Sequence, residues 1–422
     1  MKIAILGAGI SGLSCGLKLN EFGFEDITIF EQDSQIGGLA KSRIKNGYVF
    51  DLHGGHVFNS NFPDVKTWVF NMLKQKDWKF QTRNTKILYG NRLINYPFEY
   101  ALLELSEDEA IECVVDFITA KNKPKPDNYY NWLIYAFGDA IAHKYMIPYN
   151  EKIWAYNLKK MSIDWIDGKM PISNVKQIIA SLLKRNSSKA EIPHATFYYP
   201  NKGGIQSLIN IMAKNIKAEI VTECTVVDID KIKRKFIING QDKFDLIIST
   251  ICLRDLIEAV RGLSVSVRKK AADLKYNSLT TAFCKCAKND ISWFYIPDKK
   301  IRAHRVSYQG NLSSFNCPSG NGSSATLEMI GMTDPEQDAK EFNRYRKIDN
   351  LKVRNIIDSA FVKYAYIIFD KGYKHNLDSI NKCLDNYGIL RTGRFAEWKY
   401  YNMDVCMKRA FDTAGDITRK YK

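Results

Sequence analysis

The sequence predicts an α/β fold that begins with a βαβ unit. A first apolar run at residues 3–6 leads directly into Gly7, Gly9 and Gly12, and a second apolar run ends at Glu31. In this spacing the first glycine permits a tight turn, the second lets the backbone approach a pyrophosphate, and the third lets the helix pack on the strand. The helix N-terminus favours phosphate, and the acid accepts hydrogen bonds from a ribose. We therefore predict a dinucleotide site, against the alternative of a glycine-rich turn that binds no ligand.

Length and composition limit the class of protein. A chain of 422 residues exceeds one typical hydrophobic core, so two or three domains are expected. No apolar run approaches the ~20 residues that span a bilayer, and Lys2 alone precedes the first short strand. Neither an integral membrane segment nor a signal peptide is therefore predicted. Nine cysteines without C-x-x-C spacing predict a reduced, cytoplasmic protein without a metal site.

The charge of the chain indicates anionic partners. Its 62 basic and 46 acidic residues give a net charge of +16, which favours nucleic acid, a membrane surface or phosphorylated metabolites. Lysines and arginines are spread along the chain rather than clustered, so nucleic-acid binding is not expected. The pattern does not determine the oligomeric state, and a homo-oligomer is left open.

Local patterns predict the remaining elements. Residues 86–94 alternate around a Gly-Asn turn, which predicts a hairpin. Ser106 and Glu109 form a capping box that starts a helix, and helical patterns continue to about residue 184. Alternating runs between residues 280 and 370 predict an antiparallel sheet of about six strands, and a final helix is expected from about Met403.

These patterns, together with the family resemblance given below, lead us to expect three units. They are a discontinuous dinucleotide-binding domain, a mostly helical insertion, and an antiparallel sheet domain for the substrate. Their expected boundaries are 1–85, 195–265 and 376–422 for the first, 100–190 for the second, and 86–99 with 270–375 for the third.

Six segments in chain order carry a resemblance to a known family. They are residues 37–42, 50–58, 147–155, 197–204, 304–313 and 393–404. The first, with its glycine pair, resembles FAD enzymes of the amine oxidase and protoporphyrinogen oxidase type. The whole set resembles the UDP-galactopyranose mutases and spans nearly the entire chain. This resemblance implies a Rossmann-type FAD-binding domain with a helical insertion and an antiparallel β-sheet substrate domain.

The resemblance also implies roles for individual residues. His56, at the flavin, and Arg305, at the substrate diphosphate, are the expected catalytic residues. Substrate contacts are expected from Trp154, Lys169, Tyr366, Tyr400, Tyr96, Glu99 and Asn311. Cofactor contacts are expected from Gly7, Gly9, Ser11, Gly12, Glu31, Gly38, Leu39, Gly55, His56, Gly204, Arg394 and Met403. Tyr364 competes with Tyr366, and for the aromatic residues and His56 ordinary core packing is the alternative.

Two positions depart from the family pattern. Lys169 stands where these mutases usually carry arginine, and lysine lacks the bidentate fork that suits a diphosphate. Glu99 stands where the eukaryotic mutases carry a glutamine that contacts the nucleobase. A carboxylate only accepts hydrogen bonds, so Glu99 would suit guanine, with two adjacent donors, better than uracil.

The activity implied by the resemblance is the interconversion of pyranose and furanose forms of a nucleotide-diphosphate sugar for surface polysaccharide biosynthesis. The family uses reduced FAD, whose N5 forms a covalent adduct with the sugar, and NADH or NADPH would be the reductant. The alternative is an FAD-dependent oxidoreductase with net substrate oxidation. A third alternative is a flavin-binding protein without catalysis.

Overall fold

The computed structural model describes residues 1–120, 126–166, 174–183, 195–318, 323–345 and 351–422. The strands are β1 (Ile3–Leu6), β2 (Ile27–Phe30), β3 (Ser42–Lys45), β4 (Tyr48–Asp51), β5 (Trp78–Thr82), β6 (Thr85–Tyr89), β7 (Arg92–Asn95), β8 (Thr196–Pro200), β9 (Glu219–Val221), β10 (Ile229–Ile232), β11 (Lys235–Ile238), β12 (Asp242–Phe244), β13 (Leu246–Ser249), β14 (Lys275–Cys286), β15 (Trp293–Tyr295), β16 (Arg305–Ser307), β17 (Ser323–Ile330), β18 (Val353–Ile368) and β19 (Ile389–Arg391). The α-helices are α1 (Ile10–Glu21), α2 (Pro63–Met72), α3 (Glu107–Ala120), α4 (Tyr129–Phe137), α5 (Asp139–Ile141), α6 (Ile147–Trp154), α7 (Val175–Leu183), α8 (Gln206–Asn215), α9 (Leu253–Ala259), α10 (Val265–Ala272), α11 (Gln309–Leu312), α12 (Pro335–Tyr345), α13 (Tyr373–Tyr387) and α14 (Met403–Tyr421).

The first domain is a Rossmann-type α/β layer structure, as predicted. Its parallel sheet has the strand order β19-β13-β1-β2-β9. Along β1, Ile3 and Ile5 join a core with α1, α8 and α14, whereas Ala4 and Leu6 join a second core with α9 and α13. Helices thus cover both faces, and this explains why β1 is apolar throughout rather than alternating.

The second sheet has seven strands in the order β18-β14-β17-β16-β15-β6-β7. The hairpin predicted over residues 86–94 is its β6–β7 edge, with Gly90 and Asn91 in the turn. The prediction of about six antiparallel strands needs one correction, since β6 and β15 run parallel. About two hundred residues separate these two strands in the chain, so no tight hairpin constrains their relative direction.

The helical insertion lies between β7 and β8 in the sequence. The predicted capping box at its start is present, because Ser106 and Glu109 exchange hydrogen bonds between side chain and backbone in both directions. A π-turn at Ala142–Met146 joins α5 to α6, and α6 ends at Trp154, beside the second sheet. Among the helices of the described residues, none has the length and apolar content that crossing a bilayer requires.

Candidate active site

A cavity of about 1140 Å³ is lined by residues of both sheets and of the helical insertion. Most of the residues expected to contact cofactor or substrate line it. These are Gly7, Gly9, Ser11, Glu31, Gly38, Leu39, Gly55, His56, Tyr96, Glu99, Trp154, Arg305, Tyr366, Arg394, Tyr400 and Met403. Residues up to four hundred positions apart in the sequence therefore share one cavity.

One end of this cavity is built mainly from backbone. A Cβ atom on Gly12 would lie 2.0 Å from the carbonyl oxygen of Gly7, so only glycine lets α1 approach β1 this closely. A Cβ atom on Gly38 would lie 3.2 Å from Cα of Gly9, which brings the two glycine segments together. The buried Glu31 carboxylate accepts a hydrogen bond from the backbone N–H of Ala8 at 2.9 Å. This end has the form of a dinucleotide cradle.

The loop after β4 connects this cradle to the second sheet. Gly54 has φ +94°, and a Cβ atom there would lie 2.8 Å from Oε2 of Glu328 and 2.9 Å from Nη2 of Arg305. Burial lowers the pKa of the neighbouring His56 imidazole to about 3, and the charges of His53 and Arg305 act in the same direction. His56 is therefore neutral near pH 7, and its Nδ1 atom is buried without a hydrogen-bond partner among the described residues.

Arg305 is paired with a buried acid that the sequence analysis did not single out. Its Nε and Nη2 atoms donate to the two carboxylate oxygens of Glu328 at 2.7 and 2.6 Å. The Glu328 side chain is fully buried, and Ser307 donates to the same carboxylate at 2.9 Å. Burial opposes the charge of Arg305, but the pairing with Glu328 holds the pKa of the guanidinium well above its ordinary value. The fork is thus held in one orientation at the cavity wall.

A cluster of aromatic rings and a second arginine lies beside this pair. The Trp154 ring packs edge-on against Tyr366 and Tyr400, with ring centroids 6.2 Å apart in both cases. The Arg394 guanidinium lies 4.5 Å from the centre of the Tyr400 ring and donates to the carbonyl oxygen of Ala365 at 2.7 Å. Cation–π contacts of this kind stabilise a partly buried guanidinium. The cluster therefore carries positive charge together with phenolic donors.

The structure separates the two competing tyrosines. Tyr364 also lines the cavity, but its hydroxyl donates to Oδ1 of Asp255 at 2.6 Å. Tyr366 instead packs against Trp154 and lies near Arg305, and burial raises the pKa of its phenol. Tyr366 is therefore the one that accompanies the arginines.

A third part of the cavity wall is formed by the segment that follows β7. Tyr96 packs against Tyr295, and the Arg83 guanidinium lies 4.4 Å from the centre of the Tyr96 ring. Glu99 is 5% exposed and lies on the same turn. The neighbouring Tyr149 packs edge-on against Tyr295. This part combines flat aromatic surfaces with one buried carboxylate.

Three of the predicted residues that the structure describes do not line the cavity. Gly12 packs beneath it, and Gly204 turns against Ser42 and Asp51. Asn311 is directed elsewhere, because its side chain donates to Oδ1 of Asn289 and to the carbonyl oxygen of Ile291. Lys169 lies outside the described residues.

Several residues of the site had no local signal in the sequence. Glu328 faces Arg305 only because β16 and β17 pair in register, 23 residues apart. Asn150, which accepts a hydrogen bond from the Trp154 indole, and Tyr149 and Tyr295 are placed by tertiary packing. One local pattern was available for Asn150: it lies four residues before Trp154, and this spacing places the two residues on the same face of a helix.

The arrangement favours binding and charge stabilisation over acid–base catalysis. His56 is held neutral, and the pairing with Glu328 keeps Arg305 charged. Among the described residues, no group of three or more histidine, cysteine or acidic side chains is arranged to hold a metal ion. Preorganised arginine and tyrosine donors, such as those of Arg305 and Tyr366, stabilise a negative charge that develops during a reaction.

Comparisons with known proteins extend these observations. A family model described as an NAD(P)-binding Rossmann-like domain matches residues 5–75. The 4,4'-diapophytoene desaturase (4,4'-diaponeurosporene-forming) of Staphylococcus aureus (strain MRSA252) is 34% identical over 90 residues, which cover 21% of this chain and 17% of that protein. Protoporphyrinogen oxidase 2, chloroplastic/mitochondrial, of Arabidopsis thaliana is 36% identical over 64 residues, or 15% and 12% of the two chains. The matched region thus spans less than a fifth of the length of these relatives.

Solved structures match over the whole chain. The crystal structure of reduced UDP-galactopyranose mutase has a TM-score of 0.88 at 22% identity and covers 100% of this chain and 96% of that one. A putative protoporphyrinogen oxidase from Exiguobacterium sp. 255-15 has a TM-score of 0.77 at 15% identity, covering 99% of each. The predicted resemblance in fold to UDP-galactopyranose mutase is confirmed.

Proposed function

We propose that this chain is a flavin-dependent pyranose–furanose mutase that acts on a nucleotide-diphosphate sugar. The observation that carries the proposal is the continuity of a glycine-built dinucleotide cradle with a cluster of arginines and tyrosines in one cavity. The first part suits a cofactor, and the second suits a ligand with concentrated negative charge.

The residues of the cradle fit FAD. Glycines 7, 9 and 12 give the backbone the close approach that a pyrophosphate requires, and Glu31 stands where a ribose would meet it. His56 offers a neutral imidazole with an unpartnered buried nitrogen, which suits a polar ring edge. In this proposal NADH or NADPH supplies the electrons that reduce the cofactor.

The size of the cavity supports two ligands. Single-ligand pockets commonly enclose about 300–1,000 Å³, and this cavity encloses about 1140 Å³. Its lining extends from the cradle to Glu99, past Arg305, Tyr366 and Tyr400. In our proposal a dinucleotide and a nucleotide sugar share this space.

Reduced FAD, when bound, would supply a nucleophilic nitrogen for attack on the anomeric carbon of the sugar. The protein's own contribution is to bind the departing nucleoside diphosphate. Arg305 has N–H donors beyond those that Glu328 uses, and these can bind phosphate oxygens. Tyr366 and Tyr400 add phenolic donors, and the ring of Trp154 lines the cavity beside them. Stabilisation of the leaving diphosphate is the role we assign to this cluster.

The test is turnover under anaerobic conditions. The purified protein is reduced with dithionite and incubated with UDP-linked and GDP-linked sugars in the pyranose form, and products are separated and examined by NMR of the anomeric region. Furanose formation by the reduced protein, and none by a matched oxidised sample, is the expected result. No conversion of any nucleotide sugar by the reduced protein would contradict the proposal.

A second candidate is an FAD-dependent oxidoreductase with net oxidation of its substrate. It is favoured by the matches to a desaturase and a protoporphyrinogen oxidase, although these are confined to a small part of each chain. Its signature is consumption of an electron acceptor in proportion to product, with activity that starts from the oxidised protein. A further aerobic sample of the oxidised protein, in which consumption of the acceptor is measured, distinguishes it from the mutase.

A further inference from the structure

A buried carboxylate lies beneath the loop that carries His56. Resting on the FAD binding proposed above, we propose that Asp51 is a positioning residue that holds this loop in its cofactor-binding form and releases it on protonation. Asp51 does not line the cavity and would not touch the cofactor. It acts through the segments that do.

Asp51 is the last residue of β4 and is fully buried. Its Oδ1 atom accepts hydrogen bonds from the Ser42 hydroxyl at 2.7 Å, the Tyr199 hydroxyl at 3.0 Å and the backbone N–H of Ile205 at 3.3 Å. Its Oδ2 atom accepts the backbone N–H of His56 at 3.1 Å. One carboxylate thus joins four donors from four separate segments.

Three of these segments each follow a glycine pair of the motifs identified in the sequence. Ser42 follows the pair at 37–38, His56 follows the pair at 54–55, and Ile205 follows the pair at 203–204. A Cβ atom on Gly204 would lie 2.4 Å from the Ser42 hydroxyl and 3.1 Å from Oδ1 of Asp51, so glycine is required for the turn to close on the acid. Asp51 therefore sets the position of three glycine segments relative to one another.

Protonation would break this arrangement at one defined point. Oδ1 already accepts three hydrogen bonds and Oδ2 accepts one. Oδ2 is therefore the atom that binds a proton more readily. A protonated oxygen loses its charge and becomes a weaker acceptor that also carries a donor, so the hydrogen bond that it accepts from the N–H of His56 is weakened. The bonds to Ser42, Tyr199 and Ile205 can persist, so the loop bearing His56 is the part that is released.

The titration range follows from the surroundings. Burial raises the pKa of Asp51 to about 6, and the hydrogen bonds from Ser42, His56, Ile205 and Tyr199 lower it without cancelling that effect. Ionised Asp51 predominates above about pH 6, so cofactor affinity is expected to be full there and to fall as the pH drops. Because the folded-state pKa is raised, protonation itself favours the folded chain. Release would therefore not be caused by unfolding at Asp51.

Neighbouring titratable groups must be distinguished from Asp51. Tyr199 stays neutral, because burial and the Asp51 charge raise the pKa of its phenol well above the ordinary value. The His56 imidazole, with a pKa of about 3, also stays neutral over this range. Lys41 is paired with Asp33 on the neighbouring segment. His53 is the other group that could titrate in this range, because burial lowers the pKa of its imidazole below the ordinary value.

The test measures FAD dissociation by flavin fluorescence between about pH 4.5 and about pH 8, on the full chain and at constant ionic strength. For the unmodified protein we expect affinity to fall below about pH 6 by up to about tenfold per pH unit, the limit for one proton. Asp51→Asn should bind FAD weakly at every pH, without this transition. Far-UV circular dichroism of the same samples reports whether the chain stays folded.

Two further variants keep the inference falsifiable if Asp51→Asn does not fold. Tyr199→Phe removes a hydrogen bond that lowers the pKa of Asp51, so its transition should move to higher pH. His53→Gln should leave the midpoint unchanged. The inference would be overturned if the pH transition were still present in Asp51→Asn. It would also be overturned if the midpoint were unchanged in Tyr199→Phe, or if the transition were lost in His53→Gln. A chain that binds no flavin at any pH contradicts the proposed function instead.

Discussion

The cradle at the parallel sheet and the cluster at the seven-stranded sheet line the same cavity but are built by different means. At the cradle, backbone atoms approach one another closely, as between Gly12 and Gly7. At the cluster, long side chains are held by partners, as Arg305 is held by Glu328. Substitutions at the cradle should therefore act through steric overlap and the fold, whereas those at the cluster should act through charge.

The largest effect is expected from Gly12→Ala. The added methyl would lie 2.0 Å from the Gly7 carbonyl oxygen, and the backbone of the two residues is held in place by β1 and α1. We expect a loss of about 3 kcal/mol or more in the free energy of unfolding, together with loss of bound flavin. Thermal unfolding and flavin absorbance measure the two effects.

Gly415→Ala in α14 is the matched control. Its nearest neighbour would be the Arg419 guanidinium at 3.7 Å, which is ordinary contact distance. Alanine should be neutral or stabilise the helix by up to about 1 kcal/mol. If Gly12→Ala unfolds at the same temperature as Gly415→Ala and retains its flavin, the backbone account of the cradle is wrong.

Arg305→Met should have an effect of comparable size. Removal of the guanidinium leaves Glu328 buried without its cation, which we expect to cost about 3–5 kcal/mol in unfolding free energy. Turnover should fall by about 100-fold or more, since a donor to the leaving group is lost. Unfolding by denaturant and steady-state kinetics separate stability from catalysis.

The double variant Arg305→Met/Glu328→Gln tests the cause. Neutralising both partners should restore much of the stability, because no unpaired charge remains, but not the turnover. Arg305→Lys should be intermediate, since lysine keeps the charge and loses the fork. Full turnover in the double variant would remove Arg305 from the proposed mechanism.

A smaller effect is expected from Glu99→Gln, and it concerns specificity. The carboxylate of Glu99 only accepts hydrogen bonds, so it should favour GDP over UDP, and glutamine should reduce this preference by about tenfold. Equilibrium binding of the two nucleotides measures it. Glu104→Gln, at an acid that bonds Asn95 away from the cavity, is the control. An unchanged preference in Glu99→Gln would contradict the guanine hypothesis.

The smallest effect is expected from Asn311→Ala, which the resemblance assigned to substrate binding. Its side chain bonds Asn289 and Ile291 instead of facing the large cavity. We expect an unchanged KM and a loss of about 1 kcal/mol in unfolding free energy. A clear rise in KM without loss of stability would return Asn311 to the substrate site.

Local patterns were sufficient for the parts of the molecule in which neighbours in sequence are neighbours in space. The glycine spacing after β1, the hairpin at Gly90 and the capping box at Ser106 depend on a few adjacent residues. The start of α14 at Met403 was predicted in the same way. In each case the residue types alone indicate one local backbone conformation of low free energy.

The sequence by itself thus determined the βαβ unit, the presence of a second sheet and, through the resemblance, a set of candidate site residues, most of which line the cavity. Tertiary structure decided that Glu328 meets Arg305, that Asp51 joins three glycine segments and that Asn311 points away from the cavity. It also decided that β6 runs parallel to β15. The physical reason is that each of these contacts depends on strand register and packing between distant segments. Such contacts leave no short-range pattern in the chain.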